Sequence, residues 1–418
     1  MRRGTSIFET RWLGWLGVFL LFGMIACDDG GVKGGEASDD ADRQGENRDS
    51  DGLPDPDTTV GPKPDTDPGT GKMDTQVVRV DTGTAGREDS GSTRRDTGKR
   101  DSGSQQSKVV RFIAMGDTGE GNQEQKRVAK GAQKRCDKAG GCHGFIMLGD
   151  NIYDAGADSA MDKQFTTKID KPYRVLKKGP PPPQGQPDNR KRMPIYVSLG
   201  NHDLGEIPLN RQKITYNVKF YNNNPWYYFP SEIWDKKIGS VHLMSMHTNP
   251  LAYKGSRLKK HSQMVSRVLQ NSSANWTIAF GHHPYRSNGQ HGNAGEYEAI
   301  PGDLTINGGD YREWVNKNIC GKVDFLLTGH DHNRQWLKKQ PKLDGSFLGS
   351  GGSSGICDTH MAVSGAGAKT REVKDRGNKT AFAQPTLGFL FLEFHPKKAN
   401  VEFCGPDGKT EWSKTIQK

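Results

Sequence analysis

Apolar residues are scarce in this sequence of 418 residues: only 32% are hydrophobic and 8% aromatic, and the mean hydropathy is −0.81. A chain packed along its whole length needs more than this. The deficit is local. Between Asp28 and Ser107 there is no aromatic residue and few aliphatic ones; Asp, Gly, Thr, Ser, Arg, Lys and Pro fill the segment. Such a stretch cannot bury enough apolar surface to offset the entropy of ordering it, so residues 28–107 are expected to form a disordered acidic tether. Within it, Asn47 to Asp55 alternates oxygen side chains around Gly52 in the manner of a calcium loop. It lacks the twelfth-position Glu and the flanking helices, and composition alone accounts for it.

A long hydrophobic run is also missing. The apolar stretch from Trp12 to Ala26, preceded by Arg2, Arg3 and Arg11, is short for a membrane span and suits a signal-peptide core. It ends in Met24-Ile25-Ala26-Cys27, which resembles a bacterial lipobox with Met in place of the usual Leu. Residues 1–27 are therefore read as a signal peptide. The expectation is an exported chain, lipid-anchored through Cys27 at a bacterial cell envelope (periplasm or surface), with plain secretion as the alternative. Membrane contact would be made only through that lipid.

Cysteine is sparse as well. Beyond Cys27 the chain has Cys136, Cys142, Cys320, Cys357 and Cys404. Their spacing does not suggest a zinc site. In an exported protein some would be disulfide-bonded; Cys136 and Cys142 are near enough to close a small loop, and an odd total leaves one over. Aromatic and basic residues do not interleave, and no recognition helix is evident, so nucleic acid is not expected as a partner. The formal charge of +10 is unevenly spread: about +2 on the leader, about −8 on the tether and about +16 on residues 108–418. A basic folded domain favours anionic substrates or surfaces.

What is present begins near Lys108. Apolar runs of strand length, Val109 to Met115, Gly144 to Leu148, Pro194 to Leu199, Trp276 to Phe280 and Val323 to Leu327, each lead into Gly followed by a polar residue. A helix is expected from about Gln123 to Cys136. Lys177 to Arg192, with Pro180 to Pro183 in a row, reads as a surface insertion that either helps or screens the approach to a site. Leu387 to Phe394 and Asn400 to Phe403 read as antiparallel strands completing a second sheet. Trp226-Tyr227-Tyr228-Phe229 reads as a packed hairpin. The whole is an α/β pattern, and in open α/β sheets ligands bind beyond the carboxyl ends of the strands.

Five strand ends carry chemistry: Gly-Asp-Thr-Gly at 116–119, Gly-Asp-Asn-Ile-Tyr at 149–153, Gly-Asn-His-Asp at 200–203, Gly-His-His-Pro at 281–284 and Gly-His-Asp-His at 329–332. Together they supply Asp117, Asp150, Tyr153, Asn201, His282, His330 and His332. Mixed oxygen and imidazole donors suit iron, zinc or manganese. Asp203 is expected to orient His202, Asp331 to act as filler between two ligands, and His283 to lie outside the site.

This set resembles the signature of calcineurin-like metallophosphoesterases, and Tyr153 after Gly149-Asp150 makes it similar to the small purple (tartrate-resistant) acid phosphatases. The likeness covers residues 108–418, read as one catalytic domain. It implies a four-layer sandwich of two mixed β-sheets flanked by helices, with a dinuclear metal site at the strand C-terminal ends. Asp117, Asp150, Tyr153 and His332 would hold a ferric ion; Asp150, Asn201, His282 and His330 would hold a divalent partner, iron, zinc or manganese. His202 and His291 would act on the substrate phosphate. The activity implied is hydrolysis of phosphate monoesters by a metal-activated hydroxide, with phosphodiesters or nucleotides, or binding without catalysis, as alternatives. Substrates would be phosphorylated small molecules or phosphoproteins, and the enzyme a monomer. Thr118 stands where the small enzymes carry Trp, and His247 where relatives often have Asp, which bears on substrate preference.

Overall fold

The computed structural model describes residues 109–205, 210–249, 254–297, 307–344 and 355–418. The expected signal peptide, tether and calcium-like loop lie outside them. The first half begins with strand β1 (Val110–Met115), helix α1 (Gln123–Lys138), β2 (Gly144–Leu148), a wide helical turn (Phe165–Asp170) running into α2 (Lys171–Tyr173), β3 (Ile195–Ser198), α3 (Gln212–Asn222) and β4 (Tyr227–Tyr228). Next come β5 (Trp234–Ile238), β6 (Val241–Ser245), α4 (Gly255–Asn271), β7 (Trp276–Phe280), α5 (Gly309–Asn318), β8 (Phe325–Thr328) and β9 (Arg334–Leu337). The last strands are β10 (His360–Ser364), β11 (Thr380–Gln384), β12 (Phe389–Phe394), β13 (Lys398–Cys404) and β14 (Thr410–Gln417).

These strands form two seven-stranded sheets, ordered β14-β13-β12-β1-β2-β3-β4 and β11-β9-β10-β8-β7-β6-β5. β1 to β4 run parallel, as do β6, β7, β8 and β10, and antiparallel strands complete each sheet. The C-terminal strands differ from the sequence expectation: β12 pairs antiparallel with β1, so they extend the first sheet rather than complete the second. The open side of β1 is the edge they fill. Likewise the 226–229 aromatics form no hairpin; Tyr227 and Tyr228 pair parallel with β3 at the edge of the first sheet.

Alternation fixes the layers. In β7, Trp276, Ile278 and Phe280 belong to the core between the sheets, whereas Ala279 faces outward with Met264, Val265 and Val315 of α4 and α5. In β8, Phe325 and Leu327 point inward and Leu326 outward. On the other side, Val128, Ala129 and Ala132 of α1 pack with the first sheet. Asn122 caps α1 by accepting from the Gln125 N–H at 2.8 Å, and Arg135 and Lys138 lie in its last turn, where the helix dipole favours cations. Helices thus cover both outer faces, giving four layers.

Buried polar groups tie the two sheets together. The fully buried Arg334 guanidinium on β9 donates to the carbonyl of Cys404 on β13 at 2.9 Å and to Glu411 on β14 at 2.5 Å. Ser364 Oγ at the end of β10 donates to the Ala114 carbonyl of β1 at 3.0 Å. Disulfides join Cys136 to Cys142 and Cys320 to Cys357, and Cys404 is buried and free.

The 177–192 insertion is bridged to Cys142, just before β2, and to itself through Lys177 and Arg192. Its base therefore sits at the start of β2, whereas Asp150 follows the end of that strand. Its two arginines are paired, Arg190 with Asp137 and Asp188 and Arg192 with Asp170.

Arg111 of β1 and Glu393 of β12 form a cross-strand pair at 2.6 Å. Burial disfavours the Glu393 charge, but hydrogen bonds from Arg111, His395 and Asn400 outweigh it and hold this carboxyl down at about 2. Its contribution to stability is therefore complete above the ordinary carboxyl pKa and is lost as the pH falls through about 2. Glu393→Gln is expected to cost about 1 kcal/mol at neutral pH, allowing for partial exposure of the pair. Urea unfolding at pH 7 and pH 2 checks this: the difference between variant and parent should shrink at the lower pH.

Candidate metal centre

The parallel strands of both sheets end along one edge, and the candidate ligands hang from them. Asp117 follows β1, Asp150 β2 and Asn201 β3 in the first sheet; His282 follows β7, and His330 and His332 follow β8 in the second. Three of these residues adopt left-handed backbone: Asp117 (φ 57°), Asp150 (φ 52°) and His330 (φ 69°). Residues other than glycine avoid that region unless their surroundings enforce it, and such strain concentrates at functional sites. The preceding glycines allow close approach. A Cβ at Gly329 would stand 2.6 Å from an Asp117 carboxylate oxygen, and one at Gly200 would stand 2.0 Å from Asp150 Oδ1.

Two clusters of donors meet at Asp150. In the first, the Tyr153 hydroxyl lies 3.1 Å from Asp117 Oδ1, 3.0 Å from Asp150 Oδ2 and 3.1 Å from His332 Nε2. In the second, His282 Nε2 lies 3.2 Å from the same Asp150 Oδ2, 3.1 Å from Asn201 Oδ1 and 3.1 Å from His330 Nδ1. Asp150, His282 and His330 have the compact spacing that holds a metal ion. One carboxylate oxygen, Asp150 Oδ2, is shared between the clusters.

The donor set fits cations. A phenol has one proton and cannot satisfy three neighbours at about 3 Å. His332 Nδ1 is buried with no partner among the described residues, so whichever nitrogen of that ring carries the proton, the first cluster holds more lone pairs than hydrogens. Burial, and then the charges of Asp117 and Asp150, push the Tyr153 phenol far above its ordinary range. A bound cation would invert that order and favour the phenolate.

Other bonds aim the ligands. His282 Nδ1 donates to the Leu148 carbonyl at 2.9 Å, which turns Nε2 and its lone pair toward Asp150 and Asn201. Burial opposes a charge on His282, yet the Asp150 carboxylate outweighs it and lifts the pKa to about 9. A metal ion would displace that proton. His330 donates its backbone N–H to Asp117 Oδ2 at 2.8 Å, linking the two sheets at the site. Burial, with His291, His283 and His282 close by, pushes the His330 imidazole well down and keeps it in the neutral, ligating form.

His202 and His291 flank the clusters. His202 gives its backbone N–H to Asp150 Oδ1 at 3.0 Å; its Nδ1 bonds the Asp154 carbonyl, and Nε2 lies 3.9 Å from Asp150 Oδ2. The His291 ring stands 4.2 Å from that of His330.

Two expectations need correction, those for Asp203 and Asp331. The carboxylate of Asp203 is taken up by the N–H groups of Asn151, Ile152 and Gly200, so it fastens the loops after β2 and β3 together, and the Asp154 carbonyl orients His202. Asp331 is no filler: its Oδ1 accepts from the His291 N–H at 2.9 Å and holds that loop. His283 belongs to the surroundings of the site, 4.4 Å from the His330 ring and bonded through Nδ1 to Thr248 Oγ1. Thr248 and the segment after β10 went unrecognised. Thr248 Oγ1 accepts the N–H groups of His282 and His283, and the Gly116 N–H donates to the Ser364 carbonyl. The available signal for Thr248 was its place next to His247, where relatives often have Asp.

The sequence and fold match known proteins. The chain belongs to the calcineurin-like phosphoesterase family, whose sequence model matches residues 110–334, and it is a hydrolase of phosphate esters by that membership. It is 27% identical over 266 residues to purple acid phosphatase 4 of Arabidopsis thaliana, covering 59% of this chain and 68% of that one. It is 22% identical over 324 residues to tartrate-resistant acid phosphatase type 5 of Sus scrofa, covering 72% and 85%. Among solved structures, GAP50, the anchor in the inner membrane complex of Plasmodium, aligns with a TM-score of 0.52 at 15% identity over 74% of this chain and 89% of that one. Purple acid phosphatase PPD1 from yellow lupin seeds aligns with a TM-score of 0.50 at 15% identity, over 75% of this chain and 54% of the lupin chain.

Buried carboxylates without a counter-charge cost several kcal/mol each, so cation removal should be felt by the whole domain. Chelation is expected to lower the thermal midpoint, and metal return at a hundredfold excess over Kd to restore about 2.7 kcal/mol per site. In Asp150→Ala the midpoint should no longer respond to metal. A parent chain indifferent to chelation would contradict the metal reading.

Proposed function

We propose that this protein is an exported phosphatase that hydrolyses phosphate monoesters at a dinuclear metal centre. The observation that carries the reading is the sharing of Asp150 Oδ2 between two donor clusters. Asp117, Asp150, Tyr153 and His332 would hold one ion, ferric in this reading. Asp150, Asn201, His282 and His330 would hold a divalent partner, iron, zinc or manganese. When bound, the two cations would make water acidic enough to supply hydroxide and would offset charge on the phosphoryl oxygens.

The chain's own residues do the rest. Asp150, with its Oδ1 occupied by the His202 N–H, is left one oxygen for the shared position. His202 turns Nε2 toward the site because Nδ1 is bonded to Asp154, so this nitrogen would meet a phosphoryl oxygen or protonate the departing one. His291, on the loop pinned by Asp331, would contact the phosphate from the second sheet's side. The likeness to purple and tartrate-resistant acid phosphatases supports monoesters over diesters.

Export is supported by the leader with its lipobox-like end and by two disulfides, a bond type of oxidising compartments. No described helix is long and apolar enough to cross a membrane. Anchoring would rest on Cys27, and a mature N-terminus that begins before Cys27 would contradict it.

Purified full-length protein loaded with iron under oxidising conditions is expected to show a violet tyrosinate-to-ferric band that Tyr153→Phe removes; a colourless, iron-loaded parent would take Tyr153 out of the ligand set. The double variant Asn201→Ala/His282→Ala should lose turnover of p-nitrophenyl phosphate, and His202→Ala or His291→Ala should lower kcat by about 10²-fold or more. Faster turnover of bis-p-nitrophenyl phosphate by the parent would favour the diesterase reading.

A further inference from the structure

The short segment after β6, residues 246–249, contributes no candidate ligand, yet it lies between two strands that each lead into one. Ser198 Oγ, at the end of β3, donates to the Met246 carbonyl at 3.2 Å, and the Asn249 amide donates at 3.5 Å to the carbonyl of Gly200, the residue before Asn201. On the other side, the Met246 N–H donates at 2.8 Å to the carbonyl of Phe280, the last residue of β7, two residues before His282. Thr248 is the fully buried member of this segment. Its Oγ1 accepts the backbone N–H of His282 at 2.9 Å and that of His283 at 2.8 Å, and it lies 3.2 Å from His283 Nδ1. Gly281 permits the approach: a Cβ there would stand 2.4 Å from Thr248 Cγ2.

A hydroxyl has two lone pairs and one proton. The two N–H groups take the lone pairs, so the proton is directed to His283 Nδ1, and that imidazole carries its own proton on Nε2. The ring fixed in this way stands 4.4 Å from the ring of His330, whose Nδ1 is 3.1 Å from His282 Nε2. One buried hydroxyl thus holds the backbone of His282 and, through His283, the ring against which His330 packs. The other cluster is supported from elsewhere. The Asp117 N–H donates to the Gly149 carbonyl, the Tyr153 N–H to the Gly119 carbonyl, and the His332 carbonyl accepts from the Arg371 N–H. We propose that Thr248, paired with His283, is a positioning residue for the divalent half of the centre: it sets His282 and His330 and has no part in holding the ferric half. This rests on the reading of the two donor clusters as metal positions. Groups that aim metal ligands affect affinity by about 10–100-fold. Thr248→Val keeps the methyl that faces Gly281 but leaves two buried N–H groups without an acceptor and His283 Nδ1 without a donor.

The experiment is calorimetric titration of zinc into the full-length, iron-loaded protein, for the parent, Thr248→Val, Thr248→Ser and His283→Phe. Thr248→Val is expected to weaken zinc binding by about 10–100-fold, with the iron retained after desalting unchanged from the parent. Thr248→Ser, which keeps the hydroxyl, should restore zinc affinity to within about threefold of the parent. His283→Phe keeps a ring beside His330 but offers the Thr248 proton no acceptor; it should weaken zinc about tenfold, and the double variant should be no worse than Thr248→Val, because the pair acts as one unit. Should Thr248→Val fail to fold, His283→Phe carries the test. Unchanged zinc affinity in either folded variant, equal loss of iron and zinc, or a parent that binds no zinc overturns the proposal. Zinc binding that depends on Thr248 in a parent without p-nitrophenyl phosphate turnover would overturn the function proposed above and leave the positioning role standing.

Discussion

Asp150 is the point on which the rest of the structure turns. Its carboxylate is buried, its backbone is left-handed, and one of its oxygens lies about 3 Å from donors contributed by both sheets. No side chain in a water-free setting accepts that position without compensation, and the surroundings supply it in layers. The His202 N–H takes the second oxygen, the His282 imidazole lies on one side, and the Tyr153 phenol with Asp117 and His332 lies on the other. The two-sheet architecture is what makes this possible. Each sheet alone delivers half a donor set; only their joint edge delivers both.

Much of this was legible in the amino-acid sequence. Gly-Asp, Gly-Asn-His and Gly-His-Asp-His each follow an apolar run of strand length, and parallel strands present such residues at one edge because successive crossovers return the chain to the same end. The pattern therefore announced the candidate ligands and the edge on which they gather. What it could not announce was pairing between segments distant in sequence. β12 lies beside β1 although more than 270 residues separate Val110 from Phe389, and nothing local to either strand encodes that neighbour. The 226–229 aromatics were equally ambiguous, because a buried edge strand and a packed hairpin bury the same side chains.

The supporting residues were harder still. Asp203 and Asp331 stand inside recognisable motifs, yet their roles depend on backbone N–H groups that the fold brings to them: those of Asn151 and Gly200 for one, that of His291 for the other. Side-chain chemistry is readable from composition; backbone donors are not. The segment after β10, residues 365–378, follows the last candidate ligand by more than 30 residues and carries no motif. Its relevance arises only when β10 returns beside β8 and delivers it across the face of Tyr153.

The central claim is that one oxygen of Asp150 joins two cations. Anomalous diffraction from crystals of the iron-loaded protein tests it most directly. The account predicts two anomalous peaks on either side of Asp150 Oδ2, one against Tyr153 and His332, the other against His282 and His330. A single peak, or metal bound away from Asp150, would contradict it.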